Sequence, residues 1–233
     1  LYRLHWGARG SGPEFDRLIR EDFEPRRLAL QREAREQGWI EPRAIYGYFP
    51  CQGDGVHLVV YDPAGFAPGS LTPRGKLEEV VRFEFPRQTE REGLCLADYF
   101  VPRESSKFDV VALQVVTVGG MVDDLGERLN AQGEYAQALF THGLAVAAAE
   151  GLAEWQHGRI RAELRLEGER GKRYSPGYSA CPDLADQGRI FKLLDPATGI
   201  GVALTSAFQL VPEASTSAII VHHPAALYYL VKV

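Results

Sequence analysis

Phe108-Asp109-Val110-Val111-Ala112-Leu113-Gln114-Val115-Val116-Thr117-Val118, followed at once by Gly119-Gly120, is the stretch on which the fold turns. Its apolar side chains run almost without interruption instead of alternating. It therefore predicts a central strand covered on both faces. The paired glycines end it. From about Asp123 to Leu166 the chain reads as helix, with Asp123 and Asp124 beside its positive end. Ala145 and Ala147–Ala149, together with Gly133, Gly143 and Gly151, predict a small-residue face for close packing. Each glycine costs a helix about 1 kcal/mol relative to alanine, which places a break near Gly133.

Upstream of this centre, Ala44–Phe49 and Val56–Tyr61 read as hairpin strands joined by a turn over Pro50 to Gly55. Glu79–Phe85 is a third strand, and Leu94–Phe100 a short apolar one stopped by Pro102. Residues 13–38 read as a charged helix with a stripe of Phe15, Leu18, Ile19, Phe23 and Leu28 and a kink at Pro25. Downstream, a helix is expected from Asp183 to Leu194. Gly201–Thr205, Ser217–His222 and Leu227–Lys232 then close the sheet. Strands and helices are grouped rather than alternating, so the class is α+β. The expected architecture is a single domain, residues 1–233, with a twisted, largely antiparallel sheet, long helices packed on it and an N-terminal helical arm over residues 1–40.

The 233 residues are 45% hydrophobic, enough for a full core. A net charge of −5 argues against nucleic acid or an anionic membrane as the main partner. No apolar run approaches the roughly 20 residues that span a bilayer. The chain begins at Leu1 and its only methionine is Met121, which predicts a C-terminal fragment of a larger multidomain enzyme. Cys51, Cys95 and Cys181 are widely spaced and odd in number, so they read as reduced thiols of a cytoplasmic protein, with no metal site.

One further segment stands out for chemistry: Arg173-Tyr174-Ser175-Pro176-Gly177-Tyr178-Ser179-Ala180-Cys181-Pro182. Its prolines and glycine predict irregular backbone, beside an arginine fork and tyrosine faces. That combination suits a small zwitterion, with Arg173 on a carboxylate and aromatic faces toward a cation. Glu150 lies in an otherwise small, apolar helical segment, and a carboxylate there needs a partner. Tyr228 and Tyr229, adjacent in a presumed strand, point to opposite faces, so one meets a ligand while the other packs. His222 and His223 read as a strand end rather than metal ligands. No nucleophile triad or general base is evident, and no residue is assigned a catalytic role.

The Arg-x-x-x-Gly-Tyr and Ala-Cys-Pro elements of this segment resemble the signature loop of the activation (reactivation) domain of cobalamin-dependent methionine synthase. Tyr46–Pro50, Val59–Tyr61, Leu94–Tyr99, Ile190–Leu194, Ala214–Ser217, His223-Pro224 and Tyr228-Tyr229 agree and keep the family's order. The resemblance implies an S-adenosylmethionine site in which Arg173 binds the carboxylate. Ser175 offers backbone groups to the adenine, and Gly177 lets the backbone approach. Tyr228, Tyr229, Glu150 and Glu167 lie near the ligand. It implies that Tyr178 faces cobalamin carried by a neighbouring domain; the alternative is an aromatic plug of the loop. For Glu150 and Glu167 the alternative is structural ion pairing with arginines.

The implied function is to present the methyl group of S-adenosylmethionine to cob(II)alamin for reductive methylation, with a flavodoxin-like electron donor. This would reactivate an enzyme that methylates homocysteine, without the isolated domain making methionine. The sequence departs from the family in two places. An aspartate expected near the domain start falls, on an alignment through Trp6, upstream of Leu1. Val146-Ala147 stands where Asp-Arg is common. A stand-alone S-adenosylmethionine-dependent methyltransferase and a non-catalytic docking module are the competing readings.

Overall fold

The computed structural model describes residues 9–89, 93–168 and 170–231. Trp6, on which the placement of the missing aspartate rests, lies outside them. The centre of the fold is β4 (Asp109–Thr117), flanked by β1 (Arg43–Asp54) and β8 (Ser215–Val221). With β2 (His57–Tyr61), β3 (Glu79–Glu84) and β5 (Lys172–Tyr174) these form a six-stranded sheet in the order β3-β2-β1-β4-β8-β5. Every neighbouring pair is antiparallel. The stand-alone methyltransferase reading calls for a parallel, alternating α/β sheet with a glycine-rich turn after its first strand. This sheet offers neither.

β4 is covered on both faces, as its unbroken apolar run requires. Val111, Leu113 and Val115 enter a core with Phe49, Ile219, Ile190, Leu194 and Ile200. The last three belong to α5 (Asp186–Leu194) and α6 (Pro196–Ile200). On the opposite face Ala112, Ala218 and Ile220 pack beneath Ile160 of α4 (Tyr135–Glu163). Gln114 also faces α4, its amide donating to the Ala153 carbonyl at 3.2 Å.

The long helical stretch does break where glycine predicts. α3 (Met121–Ala131) ends before Gly133, which takes φ 80°, and α4 follows. The close-packing face differs from the expected one. Ala145, Ala149 and Ala153 are buried at four-residue spacing, whereas Gly151 is exposed. Alanine thus lets α4 lie close to the sheet without glycine's helix penalty.

At the N-terminus the helix is interrupted. α1 (Pro13–Leu18) runs into a π-helical turn at Ile19–Phe23 and then α2 (Glu24–Gln37), with Pro25 in its first turn. Proline removes a ladder N–H, and the wider turn absorbs it. The wider turn also shifts the phase of the helix face. Leu30 and Ala34, with Trp39, pack on α3 and α4, while Phe15, Ile19 and Phe23 of the expected stripe are half-buried. Leu18 and Leu28 are exposed.

Other expectations need correction. β1 runs through Pro50 to Asp54, because pairing with β2 begins only at Cys51 and the missing N–H interrupts no ladder there. Leu94–Phe100 is no strand; Leu96–Tyr99 is a buried 3-10 turn. β6 (Ala203–Leu204) pairs with β7 (Leu210–Val211) in a separate two-stranded ribbon and does not close the main sheet. The tail through Leu227 is irregular rather than a strand. No helix among the described residues is long and apolar enough to cross a membrane.

Candidate functional site

The signature segment begins as sheet. Lys172, Arg173 and Tyr174 pair with Val221, Ile220 and Ile219, making β5 a three-residue edge strand where irregular backbone was expected. Beyond it, residues 175–181 close on themselves. The Gly177 N–H donates to the Cys181 carbonyl and the Cys181 N–H to the Tyr178 carbonyl, each at 2.8 Å. Gly177 adopts φ 91°, which L side chains rarely enter, and an added Cβ would stand 3.3 Å from Leu184 Cδ1. The loop is therefore tight and fixed by its own backbone.

Between this loop, α4, the start of β8 and the tail lies a cleft of about 430 Å³. That is within the range of small-molecule sites. Arg173 reaches it from β5 and Glu150 from α4. Arg173 Nη2 meets Glu150 Oε2 at 3.0 Å, with side-chain exposures of 15% and 36%. The guanidinium's other terminal nitrogen, Nη1, is buried and has no hydrogen-bond partner among the described residues. A buried donor without an acceptor is costly, and at the wall of a cleft it marks a place for an anionic oxygen.

Tyrosines form the opposite side. Tyr228 is exposed, its ring 5.4 Å from that of Tyr174, and its hydroxyl accepts the Arg173 backbone N–H at 3.3 Å. Lys172 Nζ lies 5.9 Å from the Tyr228 ring centre. Tyr174 donates to the Leu227 carbonyl at 2.8 Å, which ties the tail across β5. Tyr229 turns the other way and packs on the main core. Burial pushes its phenol well above the ordinary tyrosine range, and its buried hydroxyl has no hydrogen-bond partner among the described residues. The expectation that the two tyrosines diverge thus holds although they do not form a strand.

Of the sequence-derived residues, the cleft brings together Arg173, Glu150, Ser175, Tyr178, Tyr228 and Tyr229. Gly177 shapes the loop from outside the lining. Glu167 is exposed in the turn after α4 and also lies outside the lining. Tyr178 is 72% exposed at the rim, so it does not plug the loop. Val146, one turn before Glu150, is exposed too. The arginine that pairs with Glu150 is Arg173 itself, so the ion-pair and ligand-site alternatives for Glu150 meet in one contact.

Sequence reasoning missed Thr216 and Cys181 as parts of the wall. Both lay inside segments singled out for other reasons. Cys181 is buried, and its thiol donates to Asp186 Oδ2 at 3.3 Å. Burial, then the neighbouring Asp186 charge, pushes the thiol far above its ordinary value, so it is a structural group and not a nucleophile. Among the described residues no group of three or more His, Cys, Asp or Glu side chains is placed to hold a metal. His222 instead pairs with Asp109 at 2.7 Å, and His223 stacks near Tyr99.

Residues 23–233 match the family described as "Vitamin B12 dependent methionine synthase, activation domain". The chain is 35% identical to the methionine synthase of Mycobacterium tuberculosis, covering 98% of this chain and 21% of that protein. It is also 35% identical to the Mycobacterium leprae methionine synthase, covering 98% and 20%. The chain thus spans about a fifth of the length of these curated relatives. In three dimensions it is similar to the crystal structure of the MetH reactivation domain bound to AdoHcy. The TM-score is 0.78 at 27% identity, over 97% of this chain and 73% of that one.

Proposed function

We propose, from the premise that this chain belongs to the activation-domain family of vitamin B12-dependent methionine synthase, that its cleft binds S-adenosylmethionine and presents the methyl group to cobalamin for reductive methylation. The observation that carries this reading is the buried Arg173 Nη1, unpartnered at the wall of a cleft with tyrosine faces opposite. A solved relative named for AdoHcy, the demethylated form of the same ligand, supports it.

In this reading Arg173 takes the ligand's carboxylate through Nη1 while Nη2 stays with Glu150. The Glu150 charge also attracts the ligand's cationic groups. Ser175 offers backbone groups to the adenine, and the Tyr228 ring faces the ligand while Tyr229 supports the wall from the core. Gly177 acts through the shape of the loop. Glu167, exposed outside the cleft, has no ligand role here.

Tyr178, at the edge of the cleft, is exposed, as is Val146 on α4. In this reading cobalamin is carried by another module of a longer polypeptide, which docks over Tyr178. When bound there and supplied with an electron by a flavodoxin-like donor, cobalamin would provide the acceptor for the methyl group. This chain's contribution is positioning, which makes the transfer effectively intramolecular. The parent activity is methylation of homocysteine in the cytoplasm, where three buried free thiols stay reduced. The chain as a whole is read as one ligand-binding domain, with residues 1–40 as its arm.

The test is a calorimetric titration of S-adenosylmethionine into the chain and into Arg173→Ala. Saturable binding that the substitution abolishes supports the assignment. Equal binding by both proteins would place the ligand elsewhere, and no binding to the unaltered chain would refute the site.

A further inference from the structure

The strand that carries Arg173 is lightly held by its sheet. Among the described residues β5 pairs with β8 alone, and it is the last strand of the order. Its remaining fastenings come from side chains. Arg161 of α4 donates to the Gly168 carbonyl in the connecting loop. His157 of α4 is placed closer to the strand. Its Nε2 lies 2.9 Å from the carbonyl oxygen of Gly171, two residues before Arg173. A carbonyl only accepts, so Nε2 carries the proton.

His157 follows Glu150 by nearly two helical turns, so both face β5, about 10 Å apart along the helix. α4 therefore grips β5 at two points. One is the partly solvated Glu150–Arg173 pair. The other is the His157–Gly171 bond, whose histidine side chain is only 8% exposed.

The ring's second nitrogen, Nδ1, is buried with no hydrogen-bond partner among the described residues. The charged groups facing the ring are Glu154, 3.8 Å away on α4, Arg161, also on α4, and Arg173 on β5. Burial lowers the proton affinity of His157, and the two arginines add to this against Glu154 and the Gly171 carbonyl. The neutral ring is therefore the native form. A group with a lowered folded pKa stabilises fully above its ordinary value, about 6.5 for histidine. That contribution is lost as pH falls through the lowered value.

We propose that His157 is a positioning residue for the ligand site: its bond to the Gly171 carbonyl fixes the backbone of β5 so that the Arg173 guanidinium stands in the cleft against Glu150. The consequence for affinity rests on the reading that Arg173 receives the ligand's carboxylate. The tie between α4 and β5 does not.

The experiment compares the unaltered chain with His157→Leu, which cannot donate, and His157→Gln, whose amide can. Two readouts are taken: S-adenosylmethionine affinity by calorimetry, and hydrogen exchange of the β5 amides without ligand. Losing one buried hydrogen bond corresponds to roughly tenfold. His157→Leu is thus expected to bind about tenfold more weakly and to exchange faster across β5, with His157→Gln within about threefold of the unaltered chain on both.

Unchanged affinity and β5 exchange in a folded His157→Leu would overturn the proposal. So would a folded His157→Gln as defective as His157→Leu. Should His157→Leu fail to fold, His157→Phe, which likewise cannot donate, is measured in its place and judged by the same outcomes. If the unaltered chain binds no S-adenosylmethionine, the functional assignment fails, and the exchange measurement still decides the His157 tie.

Discussion

Glu150→Gln tests whether the acid in the cleft assists the ligand or merely occupies Arg173 until a ligand displaces it. The two side chains meet at 3.0 Å, with Arg173 largely covered and Glu150 about a third exposed. Fully exposed pairs contribute about 0–1 kcal/mol, and breaking a fully buried one costs about 3–5 kcal/mol. This pair, solvated on one side, falls at roughly 1–2 kcal/mol. Glutamine keeps an oxygen to accept from Nη2, so the stability cost should stay below about 1 kcal/mol. For a chain of this size that is a fall in Tm of no more than about 2–4 °C. Glu150→Ala, which strands the guanidinium, should lose about twice as much.

Binding should respond differently. S-adenosylmethionine carries a sulfonium and an ammonium group. Removing a carboxylate from a partly solvated wall should cost about 1 kcal/mol, a five- to tenfold weaker Kd. The assay is calorimetric titration of the unaltered chain and Glu150→Gln at low and high salt. The difference should shrink as salt screens the exposed side of the cleft. Tighter binding by Glu150→Gln would refute the assignment. It would mean that Glu150 competes with the ligand's carboxylate for Arg173.

Three further outcomes follow from the fold. Gly177→Ala forces a side chain into φ 91° beside Leu184. It should cost about 1–2 kcal/mol in thermal denaturation and weaken ligand binding, since the loop forms part of the cleft. Ile160→Ala empties a site with no exposed surface beneath α4 and should lower stability by about 2–5 kcal/mol, read as a lower urea midpoint at unchanged m. Glu163 accepts hydrogen bonds from Tyr48 at 2.6 Å and Tyr46 at 2.9 Å, which hold its carboxyl below the ordinary range. Its contribution is therefore present above about pH 4.3 and lost as pH falls through the lowered value. The Tm gap between the unaltered chain and Glu163→Gln should close in acid, and a gap independent of pH would contradict the assignment.

The parts of the fold legible in the sequence are those where one signal dominates. Phe108–Val118 is so apolar that it has to be central, and Gly133 is a strong enough breaker to divide the long helix. Leu94–Phe100 misled because its leucines and aromatics fit a strand, although it contains no β-branched residue. The N-terminal stripe was legible in part: Phe15, Ile19 and Phe23 are half-buried, but a π turn changes the helical phase, and Leu18 and Leu28 are exposed. β5 was hidden by Pro176 and Gly177 just beyond it; its pairing with β8 is a tertiary choice that local propensity does not carry. The tail was read as a strand from Leu227-Tyr228-Tyr229-Leu230. It is held instead by single bonds, Tyr174 to the Leu227 carbonyl and Gln88 to the Leu230 carbonyl. Within the site, Arg173 was legible from its neighbours in sequence. Its contact with Glu150, and the wall supplied by Thr216, depend on how α4 and β8 meet, which no local pattern records.

In the proposed function the ligand site falls on the shortest strand, at the edge of the main sheet, so a bound ligand would become part of what holds that edge. Arg173 is mostly buried, yet Glu150 meets only Nη2 of its fork, and Nη1 has no partner among the described residues. A carboxylate reaching Nη1 removes that deficit and bridges β5 to whatever else the ligand touches. Binding to the folded state alone stabilises by mass action, about 2.7 kcal/mol at a hundredfold excess over Kd. For this length that is a rise in Tm of about 5–10 °C. The rise should be absent in Arg173→Ala at the same ligand concentration, and the β5 amides should gain the most protection from exchange. A rise that survives Arg173→Ala, or protection spread evenly over the sheet, would mean that the unpaired guanidinium is not where the ligand's carboxylate goes.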